Sequence, residues 1–282
     1  MDTSDLAKRM KGYEERNRYY LQRRMPVILR LDMRAGHGFT KGFVRPFDEI
    51  FIKTMQETAK YLCENIQGCK LSYQQSDEIT LVLVDYDKLN TDCFFDYRVD
   101  KLCSIAASMA TMAFNKFFAN NVGDYCTYTY EREDNSHEEY EHILSLAIKK
   151  GAMFDCRCFN IPKEEVTNLC YWRQLDASRN SIQMVGQANF SHKELQNKSC
   201  NDIQDMLMTQ KGINWNDLPT YQKRGSCCVR NKIIISTDGV METIQLRDTS
   251  KAENEWIIDT EIPIFRNEGR EYMDRLVYVG EE

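Results

Sequence analysis

Two strand-like segments joined by a short acidic turn constrain the fold of this chain more than any other feature. Residues 79–84 are entirely aliphatic or β-branched, and residues 70–74 carry Leu71 and Tyr73 between polar side chains, so both segments favour strands. The residues between them, Gln75-Ser76-Asp77-Glu78, suit a tight turn. The sequence therefore predicts an antiparallel hairpin with acidic side chains at its tip.

The segments around this hairpin alternate between strand and helix patterns. Residues 27–32 form a short strand-like run that ends in Asp32, and residues 152–159 form another. Residues 47–65 repeat apolar side chains at helical spacing, and residues 97–119 combine apolar and small side chains, as in a helix laid closely on a sheet. The resulting order is strand, helix, strand, strand, helix, strand.

That order is the ferredoxin-like pattern, which polymerase palm domains share, so we predict an α+β fold in two regions. Residues 1–160 are expected to form a ferredoxin-like, polymerase-type palm domain with an antiparallel sheet and an N-terminal helix over 4–22. Residues 161–282 are expected to form a helical and strand-rich C-terminal annex. No proline-, glycine- or serine-rich linker separates them, so the annex should pack closely on the palm domain.

The C-terminal region carries recognisable helix and strand boundaries. Its signals are a helix from Pro162 to about 187, a capping box at Ser191 and Glu194, a helix C-cap at Gly212, strands at 233–235 and 256–258, and a turn at Asp238-Gly239. These signals predict mixed helices and strands with no internal repeat.

Composition limits the class of protein. A net charge of −6 argues against a chain that coats nucleic acid through a wholly basic surface, while leaving room for a local RNA-binding groove. The eleven cysteines include no CxxC pair, so we expect reduced thiols and no structural zinc. No apolar run approaches the ~20 residues that cross a bilayer, and the first residues lack a signal-peptide pattern. We therefore expect a cytoplasmic protein with no membrane segment.

Asp32 and Asp77 are the candidate catalytic carboxylates. In this strand order the first and third strands can lie adjacent and antiparallel, which would bring the end of one strand to the hairpin tip. Paired carboxylates can hold Mg²⁺, which neutralises phosphate charge in phosphoryl transfer and needs few protein ligands because it keeps several waters. Each aspartate alone also has a purely structural interpretation, because aspartate favours turns.

The loop at 34–39, which contains Gly36 and Gly38, could offer backbone N–H groups to phosphates, because glycine permits close backbone approach. Its spacing is not that of a P-loop. His37 could hydrogen-bond a phosphate or simply pack within the loop.

A series of ordered motifs resembles the histidine-tRNA guanylyltransferase family, including its Thg1-like members. The motifs are RLDMR at 30–34, HxF at 37–39, RPFD at 45–48, QSDE at 75–78, FDxR at 154–157, YWRQxD at 171–176 and NxLPxYxK at 216–223. The resemblance covers residues 25 to 225, and the set is far more specific than any single motif.

The resemblance implies a palm-like catalytic domain in a homotetramer that adds nucleotides to the 5′ end of tRNA, with GTP, ATP and other nucleoside triphosphates as partners. It implies two Mg²⁺ ions per active site, held by the Asp32 and Asp77 carboxylates and the Met33 backbone carbonyl. A 5′-monophosphate activated by ATP, or a 5′-triphosphate, would be attacked by the 3′-hydroxyl of the incoming nucleotide. The implied nucleotide-binding residues are Asp32, Met33, Arg34, Ala35, Gly36, His37, Ser76 and Asp77.

The matching motifs also supply candidates for binding the triphosphate or RNA. These candidates are Arg30, Arg45, Glu78, Arg98, Lys101, Asn180 and Lys223. Arg98 and Lys101 lie one turn apart on the predicted helix over 97–119, so they could equally form an exposed helix face.

The chain departs from the family pattern at two places. Met33 stands where the family usually has glycine. Residues 178–184 read SRNSIQM, whereas eukaryotic members read HINNLYN, so this segment resembles the bacterial and archaeal Thg1-like branch. We therefore expect template-dependent repair of tRNA 5′ ends, with strict histidine-tRNA guanylyltransferase activity as the alternative.

Two functions from other classes remain open on sequence. A non-catalytic RNA-binding module would stack bases on exposed sheet aromatics, for which Tyr73 is a candidate. A nucleotide cyclase with a related palm would turn over nucleotide without RNA.

Overall fold

The structure, a computed structural model, describes residues 3–132, 137–231, 233–236, 242–245, 251–252 and 254–279. The strands are β1 Val27–Met33, β2 Cys69–Gln75, β3 Glu78–Leu83, β4 Phe154–Asn160, β5 Ser226–Arg230, β6 Ile233–Ser236, β7 Glu242–Gln245 and β8 Trp256–Asp259. The α-helices are α1 Asp5–Glu15, α2 Gly36–Phe39, α3 Glu49–Asn65, α4 Val99–Glu131, α5 Glu138–Lys150, α6 Lys163–Asn189, α7 His192–Leu195, α8 Cys200–Met206, α9 Thr220–Arg224 and α10 Glu271–Val277.

The central feature is a six-stranded antiparallel sheet in the order β4-β1-β3-β2-β5-β8. Its first four strands have the 4-1-3-2 order of a ferredoxin-like domain, with α3 connecting β1 to β2 and α4 lying between β3 and β4 in the chain. The predicted mixture of helices with an antiparallel sheet is confirmed. β1 pairs antiparallel with β3, as the strand order predicted.

One face of the sheet carries the larger core. Alternate residues of β1 point into it, among them Leu29 and Leu31, and α3 and α4 cover it. An aromatic cluster fills the layer between helices and loop, consisting of Phe39, Phe43, Phe51, Phe114, Phe118 and Phe154. Because Phe39 and Phe43 come from the segment after β1, this cluster fixes that segment to the rigid core.

The other face packs against α6 and α10. Tyr73 lies here with only 1% of its surface exposed, and its ring packs edge-on against Phe265. Its hydroxyl donates a hydrogen bond to the Arg224 carbonyl oxygen at 2.6 Å. The expectation that Tyr73 could be a base-stacking platform is therefore wrong, because the side chain is already part of the core.

The sheet crosses the boundary predicted between residues 160 and 161. β5 pairs with β2, and β8 pairs with β5, so the C-terminal region extends the sheet as well as packing on it. The sequence reading missed β5, because its residues from Ser226 to Val229 are all buried and show no alternation. β6 and β7 form a separate antiparallel pair, and the turn predicted at Asp238-Gly239 lies outside the described residues.

Several helix predictions need correction. α1 ends at Glu15 instead of 22, because a turn follows in which the Arg18 N–H donates to the Glu15 carbonyl oxygen, and Tyr20 then forms a β-bridge with Arg98. α4 continues past 119 to Glu131, because its last turns pack on α5, where Tyr125 contacts Tyr140 edge-on. The predicted loop after β1 contains the short helix α2. The capping box at residues 191 and 194 is confirmed.

Among the described residues, α4 is long and apolar enough to cross a membrane, by length and composition only. The expectation that no segment reaches this level is therefore wrong. The observation is weak evidence for a membrane span, because the core helix of a soluble protein passes the same test. α4 buries Leu102, Ala106, Ala110 and Phe114 in the core beneath the sheet.

Candidate active site

Backbone hydrogen bonds bring the two candidate catalytic aspartates together. In the β1 register, Asp32 lies opposite Glu78 of β3 on one side and Asp155 of β4 on the other. The Met33 N–H donates to the Asp77 carbonyl oxygen at 3.1 Å, which places the hairpin tip beside the end of β1. The predicted convergence of the end of β1 with the hairpin tip is therefore present.

The surroundings of Asp32 are electrostatically unfavourable for its charged form. Burial raises the pKa of the Asp32 carboxyl above its usual value. The carboxylates of Asp77, Glu78 and Asp155 raise this pKa further, while Arg157 lowers it. The site thus has an excess of negative charge, which suits the binding of a cation.

Gly36 explains why the segment after β1 can approach the hairpin tip. A Cβ atom added to Gly36 would lie 2.1 Å from Oδ2 of Asp77, so any other residue would displace that carboxylate. The two turns that meet here also hold non-glycine residues in the left-handed region, with φ of 56° at Ala35 and 49° at Ser76. Such backbone is uncommon and concentrates at functional sites.

The donor set fits a divalent cation that takes most of its ligands from water and substrate. The described residues contain no group of three or more His, Cys, Asp or Glu side chains that could hold a metal ion. A metal here would depend on Asp32 and Asp77 with additional oxygen atoms. The Met33 side chain is buried in the core, at 4% exposure, so only its backbone could contribute.

A cleft of about 480 Å³ opens beside the hairpin tip, between the segment after β1 and the C-terminal half of α6. It is within the usual size range of small-molecule sites. Six predicted site residues line it: Gly36, His37, Arg45, Ser76, Asp77 and Asn180. The remaining lining residues are Thr40, Lys41, Phe43, Val44, Pro46, Asp48, Phe51, Gln183, Met184 and Gln187.

A protein-family model described as Thg1, tRNAHis guanylyltransferase, matches residues 7–162, which is more than half of the chain. The chain belongs to this family. The resemblance found in the motifs is confirmed. Membership of this family identifies the chain as a nucleotidyltransferase enzyme. The alternative that it is a non-catalytic RNA-binding module is therefore excluded.

Solved structures give a similar result over nearly the whole chain. A bacterial tRNA(His) guanylyltransferase (Thg1)-like protein in complex with ATP is 40% identical, with a TM-score of 0.77, over 98% of this chain and 100% of that chain. Another, in complex with GTP, is 37% identical, with a TM-score of 0.71, over 98% and 100%. The tRNA(His) guanylyltransferase of Saccharomyces cerevisiae is 26% identical over 235 residues, 78% of this chain and 89% of that protein.

Glu78 was predicted to bind the triphosphate or RNA. In the structure of this Thg1-family enzyme it is buried in an ion pair. Arg173 of α6 donates to both of its oxygens, from Nε at 2.7 Å and from a terminal nitrogen at 2.9 Å. Both side chains are under 10% exposed, and Arg30 Nε lies 3.7 Å from Glu78 Oε2. Because Glu78 follows Asp77 directly, this pair fixes the hairpin tip to α6.

Arg98 and Lys101 are not brought to the cleft within one chain. Arg98 forms two hydrogen bonds with Asp100, at 2.8 and 2.9 Å. The first turns of α4 contact β4 at Cys158, which pairs with Leu29, three residues or about 10 Å before Asp32 along β1. α4 also covers the face of the sheet opposite to that of Asp32.

Lys223 lies in α9 and donates from Nζ to the Asn216 carbonyl oxygen at 2.5 Å. That bond ties α9 to the preceding turn. Arg34 and Ala35 are exposed at the end of β1, where the Arg34 N–H donates to the Met153 carbonyl oxygen at 2.8 Å.

Asp48 is a site residue that the sequence reading missed. It caps α3 by accepting from the Phe51 N–H at 2.9 Å, and it also accepts from the Val44 N–H at 3.1 Å. The Tyr140 hydroxyl donates to the same carboxylate. An aspartate at the start of the helix pattern predicted over 47–65 was a usable N-cap signal. Asp48 shapes the cleft wall by fixing the loop that carries Val44.

We predict that Arg173→Met lowers the free energy of unfolding by about 3–5 kcal/mol, because the buried Glu78 would lose both hydrogen bonds from Arg173 and keep the longer 3.7 Å contact with Arg30. Chemical denaturation measures this. Arg179→Met is the matched control, since Arg179 pairs with Asp176 from the same helix with 61% of its side chain exposed, and should change stability by under about 1 kcal/mol. Equal effects of the two substitutions would contradict a buried pair at Glu78.

A second prediction follows from the raised pKa of Asp32. A carboxyl with a folded-state pKa above its unfolded value destabilises the fold as pH rises from about 4, where the unfolded group ionises. Asp32→Asn should therefore raise the Tm of the metal-free protein by about 1–3 °C at neutral pH and by less near pH 4.

The control for that measurement is Asp100→Asn. The side-chain hydrogen bond from Arg98 lowers the pKa of Asp100, so its charged form is favoured in the folded state. This substitution should not raise Tm at any pH. A neutral or negative Tm change for Asp32→Asn across pH 4–7 would show that the carboxylates do not repel one another.

Proposed function

We propose that this enzyme adds nucleotides to the 5′ end of tRNA, using Mg²⁺ held by Asp32 and Asp77. We further propose that each added nucleotide is selected by pairing with the opposite strand of the acceptor stem. The proposal rests on the meeting of the end of β1, which carries Asp32, with the hairpin tip, whose Asp77 lines a cleft of about 480 Å³. A palm-like identity for residues 1–160 is part of it, supported by the ferredoxin-like strand order.

The residues around the cleft have separate roles in this proposal. His37 and Arg45 line the cleft and can donate hydrogen bonds to the phosphates of an incoming nucleotide. Gly36 keeps the backbone close to the carboxylates. Bound magnesium would supply charge neutralisation for the phosphates. The Met33 side chain has no role beyond the core.

In the proposed reaction, the 3′-hydroxyl oxygen of the incoming nucleotide attacks the α-phosphorus of the activated RNA 5′ end. One P–O bond forms, and the bond to the leaving group breaks. Pyrophosphate leaves a 5′-triphosphate end, and AMP leaves an end activated by ATP. Similar bacterial proteins were solved with ATP and with GTP, which supports both as partners of this chain.

Support for templated repair comes from the segment 178–184, where the chain departs from the eukaryotic pattern. Three of its residues, Asn180, Gln183 and Met184, line the cleft, so the departure lies where a nucleotide would bind. Ser181 is buried and accepts a hydrogen bond from the Trp215 indole at 2.9 Å. The identity of 40% to a bacterial Thg1-like protein, against 26% to the yeast enzyme, agrees with this branch.

We also propose that the protein assembles as a homotetramer and is located in the cytoplasm. α1 has no buried residue, and Leu6, Met10 and Tyr13 lie exposed at helical spacing, which gives the chain an apolar surface that another subunit could cover.

We predict that Asp32→Ala and Asp77→Ala each reduce nucleotide addition by more than ~100-fold, because charge stabilisation is lost without opening a core cavity. Single-turnover extension of a 5′-truncated tRNA measures this, with circular dichroism to confirm folding. Asp100→Ala, which removes an exposed carboxylate of α4, should stay within about two-fold of wild type. Activity within a few-fold of wild type in a folded Asp32 or Asp77 variant would remove that residue from the mechanism.

The experiment that tests the proposed function uses tRNAs that lack their first 5′ nucleotide, with the opposing base changed among A, C, G and U. We expect the complementary nucleotide to be preferred by at least ~10-fold, or roughly 1.4 kcal/mol of discrimination. Guanosine addition to histidine tRNA alone, whatever base it faces, would support the strict guanylyltransferase alternative. Turnover of GTP that is indifferent to RNA would contradict both.

A further inference from the structure

A half-open corner of the sheet lies on the side of Asp32 away from the hairpin. In the β1–β4 register, Arg157 lies opposite Arg30 and Asp155 lies opposite Asp32, so all four share one face. The Arg157 and Asp155 side chains are 54% and 62% exposed, and a terminal nitrogen of Arg157 lies 3.7 Å from Asp155 Oδ1, so a phosphate at Arg157 would replace an exposed ion pair. α6 and α10 pack on this face of the sheet, while these two side chains at its β4 edge stay largely exposed.

Trp172 projects from α6 beside this corner with 53% of its surface exposed. The guanidinium carbon of Arg173 lies 4.7 Å from its ring centroid, and that of Arg30 lies 5.9 Å away. Arg173 is itself fixed by the buried pair with Glu78. The indole is therefore held against two guanidinium groups, both of which pair with the buried Glu78 carboxylate, and much of its ring is open to solvent. We call the surface of Trp172, Arg30 and Arg157 the tryptophan shelf.

The shelf and the cleft lie on opposite sides of the carboxylates. Asn180 lines the cleft and Trp172 carries the shelf, and eight residues of one helix separate them, or about 12 Å along its axis. Asp32 sits between β3, which leads to the cleft, and β4, which carries Arg157. A reaction that joins two nucleotides needs two binding places flanking the carboxylates, and the cleft supplies one of them.

We propose that the tryptophan shelf binds the 5′-terminal nucleotide of the RNA acceptor, with its base stacked on Trp172 and its backbone phosphate near Arg157. The inference rests on the proposed function. Bases stack on exposed aromatic side chains in proteins that bind single strands or ends, and arginine adds charge complementarity to the phosphate. Arg30 lies at the base of the shelf, with its guanidinium facing the Trp172 ring and its Nε 3.7 Å from Glu78 Oε2.

The test measures the affinity of the full-length enzyme for a tRNA lacking its first 5′ nucleotide, by fluorescence anisotropy at fixed salt. Trp172→Ala should weaken binding about 10-fold, and Trp172→Phe, which keeps a stacking ring, should stay within about 3-fold. The affinity for ATP without RNA should stay within about 2-fold in both variants. Tyr128→Ala is the matched control, because Tyr128 is 52% exposed and has Arg132 at 4.2 Å, but lies on α4.

A second measurement uses the same tRNA with an abasic 5′-terminal residue. Wild-type enzyme should bind it about 10-fold more weakly, and Trp172→Ala should show no further loss, as expected when the two changes remove one interaction. If the abasic residue and Trp172→Ala instead reduce tRNA affinity independently and additively, the base does not stack on Trp172 and the proposal is overturned.

Three other outcomes would also overturn it. The first is wild-type tRNA affinity in Trp172→Ala. The second is equal loss of tRNA and ATP binding, which would make Trp172 a structural support. The third is that Trp172→Ala forms a smaller oligomer than the wild-type enzyme in light scattering, which would make the shelf a contact between copies of the chain. If the wild-type enzyme extends no RNA yet the coupled losses are observed, the shelf stands and the proposed function fails.

Discussion

The hydrogen bond between the Met33 N–H and the Asp77 carbonyl oxygen is the contact on which the site depends. It joins the end of β1 to the hairpin tip and holds two carboxylates beside each other. The raised pKa of Asp32 reflects its burial and, after that, repulsion from neighbouring carboxylates that include Asp77. The sheet around them must be rigid enough to hold this arrangement.

That rigidity comes from both faces of the sheet. On one face, the aromatic cluster around Phe114 fixes the segment after β1, which carries Gly36 and His37. On the other, the pair of Glu78 and Arg173 fixes the hairpin tip to α6. One helix therefore positions the cleft wall at Asn180, the hairpin tip through Arg173, and the exposed ring of Trp172. A substitution that distorts α6 would therefore displace Asn180, Arg173 and Trp172 together.

Much of this arrangement could be predicted from the sequence. The strand and helix periods gave the order of elements, and that order alone brings Asp32 towards Asp77. β5 could not be recognised, because a strand buried on both faces shows no alternation. The pair of Glu78 with Arg173 joins residues 95 positions apart, and no local pattern reports such a contact. Arg98 and Lys101 came from resemblance, and their distance from Asp32 within one chain depends on packing that spacing does not encode.

A crystal structure of the enzyme with Mn²⁺ and a non-hydrolysable GTP analogue, with the metal located by anomalous scattering, would show directly whether Asp32 and Asp77 hold the metal together. We expect manganese peaks at coordination distance, about 2.0–2.2 Å, from carboxylate oxygens of both Asp32 and Asp77, with the phosphates beside Gly36 and His37. Nucleotide bound in the cleft with manganese absent from both aspartates would contradict this expectation.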